Sequence, residues 1–324
     1  MLPAPFQNAY VLTGPTGSGK SRLGIELAQR LGAEIVSMDS MALYRGMDIG
    51  TAKPTAADRR LVPHHLLDVL QPWESASVAW WLERAKDCCR EIEGRGRRVL
   101  FVGGTPLYLK ALLFGLFDGP PADLAVRARL EREAAELGRE HLHARLAGVD
   151  PAAAARVHVN DLRRTVRALE VWELTGRPIS DWQQQWSAEC GVRSAECGVK
   201  NDSPILYLDL PRPVLYERIN ARVLRMMADG LVDEVRALRQ LERPPGREAA
   251  QALGYKELFA FLDGNGSLED AVVTIQTRSR NFAKRQLTWF RNLPECRPAT
   301  EELTFELWGL TIHEGLGRAN PPGG

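Results

Sequence analysis

The stretch YVLTGPTGSGKSRLG, residues 10–24, constrains the fold more than any other part of this sequence. The apolar run before it reads as a short buried strand. Residues 14–21 fit the pattern GxxxxGK[ST], and Leu23, Leu27 and Leu31 then recur at helical spacing. Strand, glycine-rich loop and helix, in that order, form the context in which this motif cradles phosphates. Gly14, Gly17 and Gly19 let the backbone curl so that successive N–H groups point inward. The helix N-terminus adds partial positive charge. Lys20 adds a full charge, and the Ser21 hydroxyl can reach a magnesium ion. The whole loop, Gly14, Pro15, Thr16, Gly17, Ser18, Gly19, Lys20 and Ser21, is the candidate diphosphate site. Such a unit predicts an α/β fold, a P-loop NTPase-like parallel sheet flanked by helices.

The loop specifies a cradle and not a reaction. P-loop ATPases add an apolar strand ending in an acid that holds magnesium. The best strand of that kind here, RRVLFVGGT at 97–105, ends in Gly103-Gly104-Thr105 without one. No NKxD segment is present to select guanine. A different strand end does carry an acid: AEIVSMDS places Asp39 and Ser40 where the run through Ile35 and Val36 stops. In a parallel sheet the C-terminal strand ends share one edge, so Asp39, Thr105 and the glycine loop converge on one crevice. Asp39 there is either a proton acceptor or a magnesium partner. The first is favoured, because Ser21 and diphosphate oxygens can already hold the ion. Thr51 and Lys53 in the turn DIGTAKPT are further candidates for phosphate or nucleic-acid contact. His64 and His65 are adjacent, point different ways and read as structural.

After residue 118 the pattern changes. Gly119-Pro120-Pro121 breaks the chain, and residues 122–186 read as all-helical. NDLRRTVRALEVWELTGRP is the clearest helix, capped by Asn160 or Asp161 and ended by Gly176 and Pro178. Arg163 and Arg167 share a face, with Arg164 beside them; they grip phosphates or form a solvated face. SAECGVRSAECGV, 187–199, is a seven-residue tandem repeat that reads as a duplicated surface loop. PILYLDLPRPVLYERINARV then restores strand and helix and offers Arg218 and Arg222. This divides the chain into a core, 1–117 with 204–324, and an inserted all-helical domain, 118–203. In the long helix near the end, Arg278, Lys284, Arg285 and Arg291 form a basic side. Val272, Ile275, Phe282 and Phe290 read as core.

The formal charge over 324 residues is only +1, so nucleic-acid affinity must come from such local clusters. Two basic helices beside a phosphate loop favour an RNA or DNA partner. The five cysteines show no CxxC pair, so neither a disulfide framework nor a zinc site is suggested, which fits a reducing compartment. No run is long enough to span a membrane, and the first residues lack a signal pattern, so the cytoplasm is expected.

Taken together, GPTGSGKS, DSMALYRGMDIGTAKP, VPHHLLDV, FVGGTPLYLKALLFGL, NDLRRTVRALEVWELTGRPIS, QALGYKEL and AKRQLTWFR resemble the bacterial tRNA dimethylallyltransferases, also called tRNA isopentenyltransferases. The resemblance runs nearly end to end. Pro106 stands where that family usually has Gly, and Ala42 where Gln is common. The resemblance implies that the loop holds dimethylallyl diphosphate, with Mg²⁺ as the cofactor. It implies that the prenyl group goes to the N6 amine of the adenosine 3′-adjacent to the anticodon, position 37, in tRNAs reading codons that begin with U. Asp39, Thr105 and Arg222 would be the catalytic groups. Asp39, Ser40, Met41 and Ala42, the trio Arg163, Arg164 and Arg167, and Gln251, Gly254, Tyr255 and Lys256 would contact the anticodon stem-loop. A monomer is expected. Three other readings compete: a prenyltransferase acting on free AMP or ADP, a P-loop small-molecule kinase, and a non-catalytic RNA-binding P-loop protein.

Overall fold

Residues 2–117, 119–183 and 205–310 are described by a computed structural model. The chain divides into two compact units, one spanning 1–113 and 199–324, the other 114–198. The cysteine-bearing repeat at 187–199 lies outside the described residues.

The larger unit is built on a six-stranded sheet. Its strands are β1 (Tyr10–Thr13), β2 (Ala33–Ser37), β3 (His64–His65), β4 (Arg98–Gly103), β5 (Ile205–Leu208) and β6 (Cys296–Ala299). The order is β3-β2-β4-β1-β5-β6, and every neighbouring pair is parallel. β2 and β5 are buried at every position and β4 at all but its first, as a sheet covered on both faces requires. The helices before the smaller unit are α1 (Lys20–Leu31), α2 (Ala56–Leu61), α3 (Val78–Gly94) and α4 (Pro106–Phe114). The leucine stripe of α1 packs on Leu12, Leu100 and Val102 of the sheet.

The smaller unit is all-helical among its described residues: α5 (Leu124–Leu137), α6 (Arg139–Val149), α7 (Pro151–Arg156), α8 (Leu162–Thr175) and α9 (Ile179–Trp182). Asp161 caps α8 by accepting from the Arg164 N–H, and Gly176 ends it in the left-handed region. The unit has its own apolar centre around Leu130, Leu142, Leu146, Val166 and Leu169.

After β5 come α10 (Arg212–Ala228), α11 (Leu231–Arg239), α12 (Arg247–Ala250), α13 (Tyr255–Leu262), α14 (Leu268–Arg291) and α15 (Glu301–Leu307). In α14 the buried stripe is Ala271, Ile275, Ser279, Ala283, Gln286, Leu287 and Phe290. Ile275 and Phe290 are core as the sequence suggested. Val272 is half-buried and Phe282 exposed, because each sits one position off that stripe. No helix among the described residues is long and apolar enough to cross a membrane.

Candidate active site

The sheet register places the site. Thr13 is level with Gly103, and Ser37 with Val102. The chain therefore leaves β1, β2 and β4 at one edge, carrying the glycine loop, Asp39 and Thr105 with it. A buried hydrogen bond from the Thr13 hydroxyl to the Gly103 carbonyl, 2.7 Å, ties two of these exits together.

The glycine loop takes the backbone that its residues demand. Gly14, Gly17 and Gly19 have φ of 152°, 80° and 93°. At Gly17 a Cβ would also lie 2.9 Å from Ile219 of α10, so a side chain there is excluded twice. The Ser18 N–H donates to the Pro15 carbonyl, and Lys20 Nζ reaches the same oxygen at 3.3 Å. Ser18 Oγ is buried and has no hydrogen-bond partner among the described residues. Ser21 is exposed on the first turn of α1.

Two cations and one carboxylate meet at this loop. From α10, Arg222 donates to the Thr16 hydroxyl at 3.2 Å. Burial lowers the Lys20 pKa to about 8; Arg222 pushes it the same way and Asp39 opposes both. Burial also lowers the Arg222 pKa, again opposed by Asp39. Two desolvated cations against a single carboxylate leave an excess positive charge that an anionic ligand would neutralise.

Asp39 is held by its own turn. Its Oδ1 accepts from the Met41 N–H at 2.9 Å, and its N–H donates to Ser37 Oγ. The Thr105 hydroxyl accepts from the Ser40 N–H, and the Thr105 N–H donates to the Met38 carbonyl. Beneath the turn, Trp81 donates its indole N–H to the Ser37 carbonyl and stacks on Tyr108 at 4.1 Å. Burial and the nearby Asp39 charge raise the Tyr108 pKa, so its hydroxyl stays protonated. The structure thus brings Asp39, Thr105, Lys20 and Arg222 to one edge. Ser40 and Met41 are half-buried in the same turn, while Ala42 is buried.

The segment after Asp39 is irregular yet firmly fixed. Lys53, a candidate phosphate contact by sequence, is instead buried. Its ammonium binds the Tyr44 carbonyl, Asp48 and Asp68, and Arg59 adds a second pair to Asp68. Thr51 donates to the Met47 carbonyl. Both are spent on holding the loop. Glu234 of α11 accepts from the N–H groups of Asp48, Ile49 and Gly50 and from the Tyr255 hydroxyl.

That last bond settles the position of Tyr255. It is fully buried, with Gly254 beside it as the N-cap of α13, so neither presents a side chain to solvent. Gln251 and Lys256 are exposed and hydrogen-bonded to each other at 2.8 Å.

In the helical unit Arg163 is exposed with no ion pair among the described residues, and Arg164 is exposed and pairs with Asp161. Arg167 turns inward. It pairs with the buried Glu170, which Arg127 also binds, and donates to the Pro120 carbonyl. It therefore does not share an open face with Arg163, because Glu170 one turn along draws it in. On α14, Arg278 pairs with Glu257 and Arg291 with Asp209. Lys284 and Arg285 remain exposed. Among the described residues no cluster of three His, Cys, Asp or Glu side chains could hold a metal.

Lys53, Glu234 and Gln286 matter to this edge and were not singled out for these roles by the sequence. Gln286 had a signal: it is the polar member of the apolar set Ala283, Gln286, Leu287 and Phe290, where a buried amide requires partners.

Comparisons with known proteins agree with this architecture. Residues 42–293 match the family described as IPP transferase, and residues 7–63 the one described as isopentenyl transferase. The tRNA dimethylallyltransferase of Geobacter metallireducens is 48% identical over 282 residues, covering 87% of this chain and 88% of that protein. That of Geobacillus thermodenitrificans is 46% identical over 289 residues, 88% of each. The crystal structure of the full-length tRNA isopentenylpyrophosphate transferase from Bacillus halodurans is 41% identical with a TM-score of 0.63, covering 91% of this chain and 90% of that one. A eukaryotic dimethylallyltransferase crystallised acting on tRNA gives a TM-score of 0.70 at 26% identity, with 92% and 76% covered. A glycine loop at the edge of a parallel sheet, with an aspartate and two desolvated cations at the same edge, is thus found in a chain that belongs to the IPP transferase family.

Proposed function

We propose that this enzyme transfers a dimethylallyl group from dimethylallyl diphosphate to the N6 amine of adenosine 37, next to the anticodon, in tRNAs that read codons beginning with U. The observation that carries the reading is the shared sheet edge, where the exits of β1, β2 and β4 bring Asp39 and Thr105 to the glycine loop that Arg222 and Lys20 already reach.

An allylic C–O bond ionises easily because the cation is delocalised. What needs help is the charge growing on the diphosphate. The loop N–H groups not already bonded to Pro15 or Gln286, with Lys20 and Arg222, are fixed where they can meet it, without reorganisation at the moment of reaction. Adenine's amine is a weak nucleophile, its lone pair drawn into the ring. Asp39 takes a proton from that nitrogen as the C–N bond forms. One oxygen of Asp39 is committed to the Met41 N–H; the other accepts no hydrogen bond among the described residues. Thr105, whose hydroxyl sits against the same turn, completes the polar lining. No attacking water is required, which accounts for a β4 that ends in Gly-Gly-Thr rather than an acid.

The residues fit a magnesium ion that arrives with the diphosphate rather than one in a protein cage. Ser21 offers one hydroxyl at the loop, and no acidic cluster is present among the described residues. When bound, the ion supplies positive charge to the leaving oxygens. The target adenosine lies in an unpaired loop, so extruding it costs little. Arg163 and Arg164 of the helical unit, and Lys284 and Arg285 of α14, are exposed cations suited to RNA phosphates. The protein is proposed to work as a cytoplasmic monomer.

The test is direct. The protein is mixed with an unmodified anticodon stem-loop, Mg²⁺ and dimethylallyl diphosphate, and the RNA is read by mass spectrometry. One added five-carbon group on a single adenosine is expected. Prenylation of free AMP or ADP with no reaction on the stem-loop, or transfer of a γ-phosphate from ATP to a small molecule, would refute the reading.

A further inference from the structure

Gln286 lies far from the glycine loop in sequence and against it in space. Its Oε1 accepts from the Thr16 N–H at 2.9 Å, and its Nε2 donates to the Gly104 carbonyl at 2.6 Å. The side chain is almost wholly buried. The two partners leave no freedom in assigning the amide, since a backbone N–H can only donate and a carbonyl can only accept. One glutamine thus joins the loop after β1 to the exit of β4.

Gly104 makes room for this. A Cβ there would stand 2.6 Å from Gln286 Nε2 and 3.0 Å from the Gly14 carbonyl. Thr16 is held on both sides, its N–H by Gln286 of α14 and its hydroxyl by Arg222 of α10. A loop with three glycines depends on such ties for its shape, because glycine tolerates many alternative conformations. The carboxamide offers an acceptor and a donor side by side on one neutral planar group, as these two backbone partners require. Glutamate keeps the bond to Thr16 and sets its second oxygen against the Gly104 carbonyl. Methionine fills the space and makes neither bond.

We infer that Gln286 is a positioning residue, which holds the glycine loop in the shape that receives diphosphate. It touches no reacting atom. Its contribution is to present the loop already formed, so that binding does not have to order it. The inference rests on the proposed diphosphate site, and its test separates the two.

Pyrophosphate with Mg²⁺ serves as the probe, by calorimetry, beside steady-state prenyl transfer to the anticodon stem-loop. Wild-type protein that neither binds pyrophosphate nor prenylates would overturn the proposed function itself. Given wild-type binding, Gln286→Met and Gln286→Glu are expected to weaken pyrophosphate about tenfold or more, the scale of losing a buried hydrogen bond and orphaning its partner. KM for dimethylallyl diphosphate should rise in step, while stem-loop affinity is unchanged. A variant that merely unfolds a fraction of molecules would lower kcat and leave KM alone. Unchanged pyrophosphate affinity, or an equal loss of RNA affinity, would overturn the inference. A measurement on the wild type stands apart from the variants. The Thr16 amide should resist hydrogen exchange in ligand-free protein, and rapid exchange there would equally overturn it.

Discussion

The Arg222 guanidinium stands 3.2 Å from the Thr16 hydroxyl, a helix after the insertion reaching a loop near the start of the chain. Burial makes its charge costly, so the arginine is poised for an anion. Arg222→Met should lower turnover about a hundredfold, the scale of removing one preorganised donor from a developing anion. Single-turnover prenylation would measure this. The Lys20 pKa should rise in the variant, since Arg222 now depresses it.

Asp39 is expected to matter for chemistry and little for RNA binding. Asp39→Asn keeps an acceptor for the Met41 N–H and removes the base. Turnover should drop at least about a hundredfold. Stem-loop affinity by filter binding should stay close to wild type. A parallel loss of RNA affinity would instead make Asp39 a docking group.

Lys20 gives a signature in pH. Its folded pKa is about 8, below the ordinary 10.5. Between those values the unfolded chain binds the extra proton, so stability of the ligand-free protein should rise with pH across that window and level off above it. Bound diphosphate favours the charged form. Pyrophosphate affinity should therefore fall as pH climbs past about 8, by up to tenfold per unit. Lys20→Met removes this component, leaving only the ligand's own titration, and paired calorimetric series would show the difference.

The ammonium of Lys53 is buried between Asp48 and Asp68. Lys53→Met should cost about 3 kcal/mol, mainly by stranding carboxylate that the lysine neutralised. Urea midpoints would report it. Turnover should also suffer, because the loop that Lys53 fixes is continuous with the Asp39 turn.

The arginines of α8 should separate into two kinds. Arg163→Ala with Arg164→Ala should weaken the stem-loop and flatten the salt dependence of binding, by about one unit of slope for each RNA phosphate left without its arginine. Arg167→Ala should act on stability first, since Arg167 neutralises the buried Glu170. Salt titrations together with thermal melts distinguish these outcomes.

The parts of this fold legible in the sequence are those written in local pattern. Strand, loop and helix around Gly14–Ser21 can be read directly, and Asp161 and Gly176 mark the ends of α8. Asp39 was placed at a strand end by topology alone, and its charge acts on Lys20 because the two share an edge. β3 has two residues and β6 contains Pro298, so neither shows a strand signature. Long-range pairing was invisible as well. Lys53 looked available to phosphate because its partners lie in an irregular segment, Arg167 looked open because Glu170 reads as an ordinary helical acid, and Phe282 looked like core because half a stripe fits several phases of a long helix.

The order of the strands bears on how such a protein is made. β1 lies between β4 and β5, and β5 begins only at Ile205. A chain emerging from the ribosome has the glycine loop in hand before the helical insertion, but the strand on its far side comes only after it. Arg222 and Gln286 come later still. Domains form broadly from the N-terminus during synthesis. Here the glycine loop is translated before the insertion and finished only well after it, and a ribosome-bound fragment ending before α14 should not yet capture pyrophosphate.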